Sequence, residues 1–133
     1  PAGAPSEIRE HNVENWAIIY KDRTWLPHAP ENYTCVRVQG RSMYPVLDSG
    51  DVVAIDHAER PRSVDEIRRF DRKMVAFRLD GGVTIKWLQF SPATETVVGV
   101  PENREELDHL IVLTGDEIYN GIVGLVRWWW AKR

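Results

Sequence analysis

Ser42 and Lys86 are the side chains of this sequence whose surroundings best suit them to react together. Ser42 lies in Gly40-Arg41-Ser42-Met43-Tyr44-Pro45-Val46-Leu47-Asp48-Ser49-Gly50-Asp51, directly after the strand-like run Tyr33-Thr34-Cys35-Val36-Arg37-Val38. Gly40 permits a sharp bend and a close backbone approach, while Pro45 fixes one dihedral and withholds a donor. Such a corner can hold the Ser42 hydroxyl outward and aim the backbone N–H groups of Ser42 and Met43 at one point. A nucleophile beside an oxyanion site has these requirements.

A serine hydroxyl needs a base. His11, His28, His57 and His109 fall in no recognisable triad motif and show no metal-ligand spacing, so each reads as a surface or supporting residue and neither a metal nor a cofactor is expected. Lys86 is a better candidate. It is the one cation of Gly82-Val83-Thr84-Ile85-Lys86-Trp87-Leu88, a β-prone and largely apolar run. If Thr84, Lys86 and Leu88 share a face, the amine points into a mostly dry site. Burial disfavours the ammonium, and a neutral amine can take a proton from a serine. The Ser–Lys pair is a variant of the triad logic. Asp48 and Asp51 lie close together, but Asp51 is expected to tie the Gly50 turn through a side-chain bond to the backbone.

Gly40-x-Ser42-Met43-x-Pro45 with Gly50-Asp51, followed by Thr84-x-Lys86, resembles the LexA/UmuD/phage-repressor family of self-cleaving Ser–Lys peptidases, the S24 class. The resemblance extends over nearly the whole chain. Met74-Val75-Ala76-Phe77-Arg78-Leu79-Asp80 resembles the strand leading to the family's lysine, Pro101-Glu102-Asn103 the turn after it, and Gly121-Ile122-Val123-Gly124-Leu125-Val126 the last core strand. Pro1-Ala2-Gly3-Ala4-Pro5 resembles the cleavage segment, with the cut between Ala2 and Gly3. That bond stands almost at the chain start, and its distance from Ser42 is expected to exceed the family's slightly. The resemblance implies a compact, largely antiparallel β fold, autoproteolysis by Ser42 and Lys86, and a homodimer paired through the C-terminal region. It also implies a RecA–DNA filament as the partner that favours the cleavable conformation, as in SOS repressors answering DNA damage. Two alternatives stay open: a repressor's dimerisation module that cleaves poorly, and an UmuD-like polymerase accessory protein.

Composition agrees with a single domain. The chain has 133 residues, 43% of them hydrophobic and 28% charged, which fits a soluble globular protein with a sizeable core. No apolar run approaches the roughly 20 residues of a membrane span. That counts against the membrane-anchored signal peptidases, which carry a similar Ser-Met-x-Pro motif. A net charge of −3 is not that of a nucleic-acid-binding domain. Because the chain opens on Pro1 and its first methionine is Met43, an upstream segment is expected. In a repressor it would be a helix-turn-helix domain, and DNA would be held only through it. Cys35 is the single cysteine and reads as a buried, reduced thiol, which points to a cytoplasmic setting.

The elements that must position the pair read as follows. Residues 1–15 form a polar linker or arm that carries the cleavage segment, and 16–133 form the peptidase and dimerisation domain. Strands are expected at Trp16–Tyr20, Thr34–Val38, Asp51–Asp56, Thr94–Val100 and Ile122–Trp130, and a hairpin joins Lys73–Leu79 to Val83–Leu88 across Asp80-Gly81-Gly82. Ile111–Leu113 and Ile118-Tyr119 read as short pieces around a Gly115-Asp116 turn. Between Glu59 and Arg72, Val64, Ile67 and Phe70 at helical spacing predict one short helix or turn, with Ser63 as N-cap. The arginines of that stretch alternate with acids, so a solvated surface is expected. In Trp128-Trp129-Trp130, period-two alternation sends the outer indoles to one face and Trp129 to the other; so much apolar area points to a dimer contact.

Overall fold

The computed structural model describes residues 32–130. The arm over 1–15, the Ala2–Gly3 bond, the Trp16–Tyr20 run, His11 and His28 lie outside them. Seven strands build one sheet: β1 (Tyr33–Arg37), β2 (Val52–Asp56), β3 (Met74–Leu79), β4 (Gly82–Ser91), β5 (Thr96–Val100), β6 (Ile111–Thr114) and β7 (Ile122–Trp130). Their order is β1-β2-β7-β3-β4-β5-β6, and all six pairings are antiparallel. The mostly-β expectation holds.

Successive residues of a strand face opposite sides, and this sheet has core on both. From β3, Met74 and Ala76 join Val53, Ile55 and Ile85 on one side. Val75 and Phe77 join Leu88, Val97 and Ile122 on the other. The β3–β4 hairpin is tighter than the sequence suggested. Leu79 pairs with Gly82, leaving Asp80 and Gly81 as a two-residue loop. Their φ values of 30° and 81° are both positive, as a turn matching the strand twist requires.

The Glu59–Arg72 stretch contains α1 (Val64–Ile67), running into a 3-10 turn, Arg68–Phe70. Ile67 and Phe70 are buried, whereas Val64 is exposed. Ser63 occupies the N-cap position, but its side chain makes no capping bond; its carbonyl instead accepts from Glu66 and Ile67. Ile118-Tyr119 is not extended. It belongs to α2 (Asp116–Gly121), which sets Ile118 into the core beside Phe77 and Ile122, with Asp116 and Glu117 in its first turn. Carboxylates there complement the helix N-terminus.

Strand β7 passes close to the end of β2. A Cβ on Gly124 would fall 2.3 Å from the backbone oxygen of Asp56. The β2–β7 pairing also shifts register between Ala54 and Ile55, leaving Arg127 unmatched in the ladder, with its Nε 3.3 Å from an oxygen of the fully buried Asp56 carboxylate. Gly124→Ala must push these central strands apart. We expect it to lower stability by about 1–3 kcal/mol, measured by urea unfolding, with Gly82→Ala, whose added carbon would meet nothing closer than 3.7 Å, as a control for mere glycine replacement.

Candidate active site

The serine loop connects the two strands at one end of the sheet. Its ends are closed by bonds from Val38 N to Asp51 O (2.7 Å) and from Gly50 N to Val38 O (2.9 Å). Gly50 has a φ of 98°, which a side chain would strain. Asp51 takes the structural role expected of it: its Oδ2 accepts from Asp48 N at 2.8 Å. Inside the loop, Met43 and Leu47 are buried in the core, and Leu47 N donates to Met43 O at 2.8 Å. Two apolar anchors therefore fix the backbone on either side of the Tyr44–Pro45 bond, which is cis. Ser42, next to the first anchor, is left at the surface of the loop.

A second clasp comes from the segment after β5. Asn103 N donates to Ser42 O (2.9 Å), and Asn103 Nδ2 donates to Arg41 O (2.9 Å). Asn103 Oδ1 accepts from Glu105 N at 3.0 Å and caps the 3-10 segment Arg104–His109. One asparagine thus holds the carbonyls of two consecutive residues of the serine corner and starts the element facing it. The carbonyls of Arg41 and Ser42 are taken, whereas no backbone carbonyl of the described residues accepts from the N–H of Ser42 or Met43.

Lys86 comes from the middle of β4, opposite Val75 of β3. Alternation places it on the same side as Thr84 and Leu88, as expected from the sequence. Its side chain is only 3% exposed. The Nζ atom donates to Ser42 Oγ at 3.0 Å and to Thr84 Oγ1 at 2.9 Å. Burial pushes the Lys86 ammonium below its ordinary value of 10.5, and the nearby Glu106 charge partly restores it. The two residues singled out in the sequence, 44 positions apart, therefore meet in one site.

Ser42, Lys86 and Thr84 open into a cavity of about 400 Å³, walled also by Gln39, Leu79, Glu106, His109 and Ile111. Asn103, Glu106 and His109 were not assigned to a site from sequence. For Asn103 a signal existed: an Asn just ahead of Glu105-Glu106 is a capping pattern. His57 stands elsewhere, with Thr34 Oγ1 2.5 Å from its Nε2, and burial lowers its pKa. Among the described residues no three His, Cys, Asp or Glu converge on a metal position, and no helix is long and apolar enough to cross a membrane.

A serine hydroxyl bonded to a sequestered amine at the floor of such a cleft has the build of a serine-hydrolase site. The chain belongs to the Peptidase S24-like family, whose profile matches residues 1–123. In general terms it is a LexA-like serine peptidase domain, as the sequence motifs indicated. No curated protein matches it.

The buried amine has a consequence for stability. The folded chain resists protonating Lys86, so the unfolded chain binds more protons between the lowered folded value and 10.5. Wild-type stability therefore rises with pH across that window. Lys86→Met lacks the burden and should be more stable than wild type at neutral pH, by on the order of 1 kcal/mol. That gain should shrink as the pH approaches 10.5. Denaturant unfolding of both proteins across pH measures it.

Proposed function

We propose that this domain cleaves its own chain, with Lys86 as general base and Ser42 as nucleophile. The observation that carries the reading is the 3.0 Å contact between Lys86 Nζ and Ser42 Oγ, made by a lysine almost sealed from water. A neutral Lys86 takes the hydroxyl proton as Ser42 Oγ attacks the carbonyl carbon of Ala2. The N–H groups of Ser42 and Met43, which meet no backbone carbonyl among the described residues, stabilise the developing oxyanion. Collapse breaks the Ala2–Gly3 bond; Lys86 returns its proton to the Gly3 amine, which departs. Water, deprotonated by the same lysine, then hydrolyses the ester and regenerates Ser42.

The biological reading follows the family. The domain serves a LexA-like or phage-type repressor, binds DNA through an upstream domain, and responds to a RecA–DNA filament. Cys35 is fully buried and its thiol is pushed up to about 12 by burial, which fits an inert thiol in a cytoplasmic protein. An UmuD-like accessory role would use the same cleavage chemistry without a DNA-binding domain, and the upstream sequence separates the two.

We also propose that the end of β7 pairs two copies. Trp130 packs against the cluster of Tyr33, Cys35, Val52 and Ala54, so it belongs partly to the core. Trp128 and Trp129 remain 41% and 40% exposed on neighbouring positions of one strand. Apolar area of this kind favours a partner surface.

Incubation of an N-terminally extended protein at rising pH should show cleavage that accelerates toward alkaline values. Ser42→Ala and Lys86→Ala should each slow it by about a thousandfold or more; cleavage equal to wild type in either variant would exclude the assignment. For the dimer, sedimentation should show a two-fold heavier species that Trp128→Glu and Trp129→Glu dissociate. A monomer at every concentration would sink that part.

A further inference from the structure

One wall of the cleft is not used by the chemistry above. The 3-10 segment Arg104–His109 presents Glu106 and His109 to the cavity that holds Ser42 and Lys86. The two form a pair, with His109 Nδ1 3.1 Å from Glu106 Oε1. Apart from Lys86, the cavity's charged or titratable lining is Glu106, His109 and Arg41. Arg41, from the serine loop, is engaged elsewhere: its Nε lies 3.6 Å from Asp48, and its guanidinium stacks 3.9 Å over the Tyr44 ring. The other elements contribute Leu79 from β3, Thr84 from β4 and Ile111 from β6, none of them charged. Glu106 is therefore the sole anionic group on the walls around the amine among the described residues.

We propose that Glu106 is a charge brake on the serine–lysine pair, its carboxylate, shared with His109, favouring the ammonium form of Lys86, which cannot accept the serine proton. The proposal rests on Lys86 being the base. A negative charge beside an amine favours the protonated form, and burial opposes it; both influences act on Lys86, with burial the larger. Glu106 is a positioning residue here, acting only through Lys86. It sits on the element that Asn103 caps, and the same Asn103 clasps Arg41 and Ser42. Brake and nucleophile are thus tied to one side chain. A hydrogen bond from His109 spreads the carboxylate charge, so removing His109 should tighten the brake.

The test uses two independent readings. The first is an NMR pH titration of the Lys86 side chain in lysine-labelled protein, its resonance assigned by loss in Lys86→Met. The second is the pH profile of self-cleavage in the N-terminally extended protein. Glu106 is partly exposed, so Glu106→Gln and Glu106→Ala should both fold. Each should lower the Lys86 midpoint by about half a pH unit or more. The cleavage profile should move acidward by the same amount, about threefold in rate on its rising limb. His109→Ala should move both readings the other way. A fall in the Lys86 midpoint with no cleavage in any protein, wild type included, would uphold Glu106 as the charge setter and reject the catalytic reading of Lys86. An unchanged midpoint in both Glu106 variants would overturn the brake, even if cleavage became faster.

Discussion

An amine withdrawn from water, with two hydroxyls for partners among the described residues, is unfavourable in its charged form, and the surrounding elements hold Lys86 in that position. Its direction is decided at the Asp80-Gly81 turn, which begins next to Leu79 on the cavity wall. That turn sets Leu79 against Gly82 and, through the ladder, Lys86 against Val75. A register slip of one residue would send the lysine to the opposite face, the side of Val53, Met74 and Ala76. The turn's two positive φ values thus govern which side of the sheet can carry chemistry. Apolar side chains on both faces hold the register, because a slip would break the packing of both sets at once.

The serine reaches the amine by a different route. No ladder fixes Ser42; it rides on a loop whose neighbours are committed elsewhere. Met43 and Leu47 are sunk in the core, Asp51 holds the turn, and Asn103 grips two carbonyls from the far side. Functional residues on loops depend on such scaffolding. Here it has a chemical consequence as well. With the carbonyls of Arg41 and Ser42 occupied by Asn103, those acceptors are turned to the structure. The N–H groups of Ser42 and Met43 meet no backbone carbonyl among the described residues.

Much of this was legible in the sequence because it is local. The hairpin announces itself by Asp-Gly-Gly between two β-prone runs, and the serine corner by glycine, proline and aspartate at close spacing. The facing of Thr84 and Lys86 follows from period-two alternation alone. What could not be read was either non-local or ambiguous. The bond from Asn103 Nδ2 to Arg41 O spans 62 residues and leaves no periodic trace. The insertion of β7 between β2 and β3 is decided by close contact at Gly124, where backbone meets backbone. Ile118-Tyr119 is too short to distinguish a helical period from an extended one; packing of Ile118 into the core settled it as helix. Glu106 and His109 looked like ordinary surface residues, since only the folded chain brings their segment against the lysine.

The same physical effect acts on two groups with opposite results. Cys35 and Lys86 are both withdrawn from water, and in each case the charged form is disfavoured. For a thiol the charged form is the reactive one, so burial pushes Cys35 up to about 12 and leaves it inert. For an amine the neutral form is the one that can accept a proton, and burial shifts Lys86 toward that form. Their neighbours differ accordingly. Cys35 lies in a cluster with Tyr33, Val52 and Ala54, which among the described residues brings no basic side chain to the thiol. Lys86 lies against two hydroxyls and shares its cavity with the Glu106 carboxylate. Depth alone would make both side chains merely unfavourable. What distinguishes the lysine is that it lies on the wall of a cavity it shares with the Ser42 hydroxyl.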